Sequence, residues 1–195
     1  MNKFKTIAKY FLKGKFDTFG YFHGSELKRA LTDGTLQPHN YKRVLEIGTY
    51  EAIFACYAAE HFAETVDTVD PFLTTDPGTR VLAVTERHCL FNIANCKAIN
   101  RIRLHKTTSD AFFAANDRQF DFIYVDGSHE PEDAYRDLSH SLRACARGGV
   151  IWIDDYGSTY PGLQARIEDW LRDHAVHIQV FHKGYQVGLT KHAQL

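Results

Sequence analysis

From Tyr41 onward two textures alternate along the chain. Short runs rich in Val, Ile, Phe and Tyr, at 42–48 (KRVLEIG), 65–70 (TVDTVD), 101–106 (RIRLHK), 120–126 (FDFIYVD) and 149–155 (GVIWIDD), read as strands. Longer stretches between them have helical spacing. In 131–146 the positions Ala134, Leu138, Leu142 and Cys145 recur at intervals of four, four and three, and Leu163, Ile167, Trp170 and Leu171 behave alike in 160–174. Pro77 stands where another helix would begin, ahead of TRVLAVTERHCLFNIANC.

Alternation of this kind predicts βαβ units and an α/β, Rossmann-like, doubly wound fold with a mostly parallel sheet. VLEIG, FIYV and VIWI are almost continuously apolar, as central strands covered on both faces should be. The terminal stretch VHIQVFHKGYQVGLTK predicts an antiparallel hairpin around Lys183-Gly184 at one edge. Residues 1–40 read as helical, with an aromatic cluster (YFLKGKFDTFGYF), and are expected to form a cap or lid on a domain spanning 41–195. Trp152 and Trp170 are expected in the core, on a strand and a helix face.

Composition changes this picture little. Of 195 residues, 44% are hydrophobic and 24% charged, ordinary for a single globular domain. A net charge of −1 argues against a general grip on nucleic acid or anionic membrane, although Lys3, Lys5, Lys9, Lys13 and Lys15 could form a local basic face. The four cysteines, in apparent helices and without a CxxC pair, suggest buried thiols rather than a zinc knot or disulfides. The N-terminus has neither the uncharged core of a signal peptide nor a membrane span, so a cytoplasmic location is expected.

The chemistry gathers where strands end. Ligands of open α/β sheets sit beyond the carboxyl ends of the strands, at the point where strand order reverses. Gly48 follows the first strand and Asp70 the second, about twenty residues on, the distance at which an acid meets ribose hydroxyls. GxGxxG and GxxxxGK[ST] are both absent, which disfavours NAD and nucleoside triphosphates. The fourth strand runs into Asp126 and, three residues on, His129; the fifth runs into Asp154-Asp155. Adjacent strands are about 4.8 Å apart, so these carboxylates could converge. Anions that close repel, and a hard divalent cation such as magnesium, manganese or calcium would relieve them, with His129 beside it to take a proton.

With these residues in view, VLEIGTYEA, TVDTVDPF, TTSDAF, FDFIYVDGSHEPEDAYRDL and RGGVIWIDDYG resemble a class I S-adenosylmethionine-dependent methyltransferase. More narrowly, the chain resembles the small metal-dependent O-methyltransferases of the catechol type and those acting on sugar hydroxyls of macrolides and other glycosides. The resemblance implies that Glu46, Gly48, Thr49 and Tyr50 line the methionine end of S-adenosyl-L-methionine. Asp70 would bind the ribose, Ser109 and Asp110 would flank the adenine, and Asp126 borders the cofactor. It implies that Asp126, Asp154 and Asp155 hold Mg²⁺, and that His129, with Asp126, is catalytic as general base. The acceptor would be a small molecule or sugar, with no nucleic acid or membrane partner and with a homo-oligomer as an option for the N-terminal aromatics. One departure stands out: after Glu51 the family has Gly and then a small Ser or Thr, where this chain has Ala52 and Phe54. That change motivates a rival expectation of a degenerate, non-catalytic binding protein; a methyltransferase of RNA or protein is another.

Overall fold

Among the described residues seven strands form one sheet in the order β3-β2-β1-β4-β5-β7-β6. The computed structural model describes residues 26–36, 41–73 and 81–192. The aromatic cluster at 10–22, Pro77 and most of the expected cap lie outside them. The elements run α1 (Glu26–Asp33), β1 (Tyr41–Ile47), α2 (Ile53–His61), β2 (Ala63–Val69), α3 (Val81–Asn95), a 3-10 turn (Ile99–Arg101) and β3 (Ile102–His105). They continue with α4 (Ser109–Ala114), β4 (Phe120–Val125), α5 (Pro131–Ala144), β5 (Cys145–Ile153), α6 (Leu163–Asp173), β6 (Ile178–Lys183) and β7 (Val187–Lys191).

The five predicted strands are the five parallel ones, and the predicted hairpin is β6–β7, running antiparallel on the β5 edge. β7, not β6, inserts beside β5. Strand order reverses between β1 and β4, so the switch point lies at the carboxyl ends of those two strands.

The apolar runs are apolar because both faces are covered. Along β4, Phe122 and Tyr124 face one core with Val44, Val66, Phe54 and Trp152. Ile123 and Val125 face the other, with Leu45, Ile151, Leu138 and Trp170. Alternate side chains of a strand point to opposite faces, which is how one run serves two cores. Trp152 and Trp170 are both fully buried.

α5 starts with Pro131 at its first turn and carries Glu132 and Asp133 there, with Arg143 at its end, complementing the helix dipole. It stops at Ala144, two residues early, because Cys145 already pairs with Phe120 and β5 begins four residues ahead of the predicted position. All four cysteines are buried free thiols. Cys56 and Cys89 sit in helices, whereas Cys96 follows α3 and Cys145 opens β5, a correction to the helical expectation. Among the described residues no helix is long and apolar enough to cross a membrane.

Candidate active site

Backbone hydrogen bonds stitch the strand ends into one rim. The Gly48 amide donates to the Val69 carbonyl (2.9 Å), Asp126 to Ile47 (2.9 Å), Asp154 to Val125 (2.9 Å) and Asp70 to His105 (3.1 Å). Gly48, Asp70, Asp126 and Asp154 are therefore level with one another, as the sequence placed them.

The rim is also where the backbone is strained. Among the described residues four non-glycines have positive φ: Tyr50 (46°), Ala52 (59°), Phe72 (48°) and Asp155 (53°). All four follow β1, β2 or β5. Such conformations cost of order 1–3 kcal/mol each and persist where the surroundings over-determine them. Two acids hold three of them. Asp70 accepts from the amides of Tyr50 (2.9 Å) and Phe72 (2.7 Å), and Asp154 from the amide of Asp155 (2.8 Å).

A cleft of about 650 Å³ opens over this rim. Of the residues expected around the cofactor, Gly48, Tyr50, Asp70, Ser109, Asp110 and Asp126 line it. Glu46 and Thr49 do not; they are buried beneath it. The Thr68 hydroxyl donates to Glu46 and lies 2.5 Å from that of Thr49. Burial holds the Glu46 carboxyl well above the ordinary range, and the nearby Asp126 and Asp70 push it the same way. Asp110 faces outward, paired with Arg136 (3.1 Å) and His140 (2.9 Å).

The departure at 52 and 54 has a structural explanation. Phe54 is in the core, stacked on Tyr124 at 4.2 Å, and does not line the cleft. Ala52 occupies a left-handed conformation at the start of α2 that a glycine would adopt more easily.

Beyond β4 and β5, ligand atoms of Asp126, His129 and Asp155 lie within 4.8 Å of one another. The three acids expected together divide differently. Asp154 has both oxygens engaged: Tyr124 donates its hydroxyl to one, while Gln186 Nε2 (2.8 Å) and the Asp155 amide donate to the other. Burial, followed by Asp154 and Asp155, raises the Asp126 carboxyl well above its usual range. Asp155 moves the opposite way, lowered chiefly by His129 and helped by the Tyr185 hydroxyl at 2.5 Å. His129 Nε2 is 2.8 Å from Asp155 Oδ2, yet it is buried and out of hydrogen-bonding alignment. A repelled acid, Asp126, beside the Asp155 carboxylate fits a divalent cation held by oxygens of those two residues. The His129 ring stacks on Tyr160 at 4.0 Å, nearly parallel.

Several participants escaped the sequence reading: Asp137, Tyr124, Tyr160, Tyr185 and Gln186. Asp137 left a trace, because it lies on the apolar stripe of α5 beside Ala134 and Leu138. It is buried, accepts from Ser109 Oγ (2.5 Å) and lines the cleft. Burial raises its carboxyl to about 6. The folded state then keeps a proton that the unfolded chain gives up near pH 4, so stability should fall as pH rises from about 4 to 6. The loss should be of order 2–3 kcal/mol at about 1.4 kcal/mol per unit. Asp137→Asn should remove that slope in urea unfolding at pH 4.5 and 7; an unchanged slope would show that another group carries it.

A mostly parallel sheet in this order, with acids gathered at the switch point, defines a class I S-adenosylmethionine-dependent methyltransferase fold. The sequence matches the methyltransferase-domain family over residues 45–156, more than half of the chain. The chain belongs to that family and is an S-adenosylmethionine-dependent methyltransferase. No curated protein matches the sequence. Among solved structures it is similar to the O-methyltransferase TomG from Streptomyces achromogenes, involved in tomaymycin synthesis and solved with S-adenosylmethionine. That likeness has a TM-score of 0.65 at 13% identity, covering 91% of this chain and 87% of the other. An O-methyltransferase from Bacillus cereus, in complex with S-adenosylhomocysteine, matches with TM-score 0.62, 14% identity and coverage of 86% and 82%. An rRNA methylase from Streptococcus thermophilus matches with TM-score 0.57, 10% identity and coverage of 80% and 89%. At these identities the likeness shows the fold alone.

Proposed function

We propose that the chain transfers a methyl group from S-adenosylmethionine to a hydroxyl of a small molecule or sugar, assisted by a divalent cation such as Mg²⁺. The observation that carries this reading is the convergence of Asp126, His129 and Asp155 at the mouth of the cleft lined by Gly48, Asp70 and Ser109.

Each residue has a role that its surroundings support. Gly48 lets the backbone pass close to the methionine end, above the buried Glu46 and Thr49. Each oxygen of Asp70 accepts one backbone N–H and keeps a lone pair for a ribose hydroxyl. Ser109 and Asp110 flank the adenine, with Asp137 below. Asp126 and Asp155 offer oxygens to a cation, and Asp154 orders Asp155 through its backbone amide. When bound, the cofactor supplies an electrophilic methyl group and the cation lowers the pKa of the acceptor hydroxyl. His129 takes the hydroxyl proton at Nε2, its ring fixed by Tyr160. Much of the remaining acceleration comes from alignment by these groups.

The deciding experiment is calorimetric titration of S-adenosylhomocysteine into the protein, in Mg²⁺ and in EDTA, followed by an acceptor screen of sugars and phenols. Binding, with turnover that EDTA removes, is the expected result. Equal turnover in EDTA would exclude the cation. No binding in either buffer would instead favour a non-catalytic family member. Salt-sensitive retention of RNA on filters would move the acceptor to nucleic acid.

A further inference from the structure

Residues 185 and 186 lie beyond the stretch that matches the family, yet both reach the acids after β5. The turn between β6 and β7 sits against that loop. The Gly157 amide donates to the Tyr185 carbonyl (2.8 Å), and a Cβ at Gly157 would come within 2.8 Å of Tyr185 Cα. From this turn Tyr185 donates its hydroxyl to Asp155 and Gln186 donates Nε2 to Asp154.

Gln186 is buried and bonded at both ends of its amide. Its Oε1 accepts from Trp152 Nε1 (2.9 Å) and from the backbone amide of Leu27 (2.9 Å), one of the donors that a helix leaves unpaired in its first turn. Its own backbone amide donates to Glu26 (2.8 Å), which also meets His182 Nε2 (2.9 Å). Gly184 is needed there, since a Cβ would lie 2.6 Å from a Glu26 oxygen. An apolar side chain at 186 would leave several buried polar groups without partners, so this amide has a single workable orientation.

We propose that Gln186, with Tyr185 beside it, positions the Asp154–Asp155 pair, and that docking of α1 through Glu26 and Leu27 sets that position. Asp155 has positive φ, a conformation that needs holding, and the Asp154 carboxylate that holds its amide is itself fixed by Gln186 and Tyr124. The start of α1 is thereby connected to the acceptor side of the site through three consecutive hydrogen bonds, from the Leu27 amide to Gln186, from Gln186 to Asp154 and from the Asp155 amide to Asp154. The functional consequence rests on the reading of Asp155 as a site residue given above.

The test uses the full chain with Glu26→Ala and Gln186→Met. Amide exchange at 155–157 should quicken about tenfold in both variants, while amides of β1 keep their protection. The Trp152 indole N–H resonance should shift in Gln186→Met. Mn²⁺ alone, titrated as a probe, should bind about tenfold more weakly, with S-adenosylhomocysteine affinity unchanged, since the cleft residues are not touched. Unchanged exchange at 155–157 in Glu26→Ala would overturn the proposal, and this variant decides the matter if Gln186→Met does not fold. If the unmodified protein binds no Mn²⁺, the cation reading fails, and the exchange result alone still decides whether the turn positions the acids.

Discussion

Gly48→Ala should lower stability by about 3–5 kcal/mol and weaken S-adenosylhomocysteine binding by more than about a hundredfold. Two independent causes act together. Gly48 has φ +88°, where an L side chain is strained. A Cβ there would also stand 1.8 Å from the Asp126 carbonyl oxygen and 2.5 Å from its carbon, whereas real Cβ atoms essentially never come within 3.0 Å of such neighbours. Backbone is on the other side of the contact, so no rotamer can relieve it. The loops after β1 and β4 would have to part at the switch point, where the cleft is built. Gly148→Ala supplies the control: its φ is +76°, but nothing lies within 4 Å of the added carbon, so strain alone should cost about 1–2 kcal/mol. Urea unfolding and calorimetry of the two variants side by side measure the difference. Equal costs would mean that the close approach of the two loops does not matter.

His129→Ala should reduce methyl transfer by about 10²–10⁴-fold while leaving S-adenosylhomocysteine affinity within about twofold. In the mechanism proposed above the ring accepts the hydroxyl proton, and it lies next to Asp155, stacked flat against Tyr160. Asp155→Asn should fall in the same range by removing a charge from the cluster and from the lowered carboxyl that His129 faces. Transfer from labelled S-adenosylmethionine to an acceptor identified by the screen is the measurement. Full turnover in both variants would remove the acid–histidine cluster from the mechanism. A parallel loss of cofactor binding would instead place these residues in the structure of the cleft.

The chain's own departures look different once packing is known. Phe54 reads in the sequence as a missing hydroxyl at the cofactor, but its ring supports Tyr124 from below, and Tyr124 in turn donates to Asp154. The side chain at 54 serves core contact, which is visible only when the helix and β4 are brought together. Ala52 is the costlier change, because its φ of 59° lies where glycine is favoured.

Strand–helix alternation, the parallel core and the terminal hairpin were legible because hydrophobic period and strand propensity act locally along the chain. The positions of Gly48, Asp70, Asp126 and Asp154 on one rim followed as well, since every parallel strand ends at the same side of the sheet. Pairings across long separations were not legible. Gln186 meets Asp154 and Leu27, and Tyr185 meets Asp155, across separations from 30 to 159 residues, with nothing periodic to mark them. The sequence by itself determined the class of fold, the rim on which the acids gather and the residue types available there. Only the tertiary structure decided that His129 joins Asp126 and Asp155 while Asp154 turns to Tyr124 and Gln186. A carboxylate's direction is set by the donors that surround it, and those donors come from strands that meet only when the sheet closes.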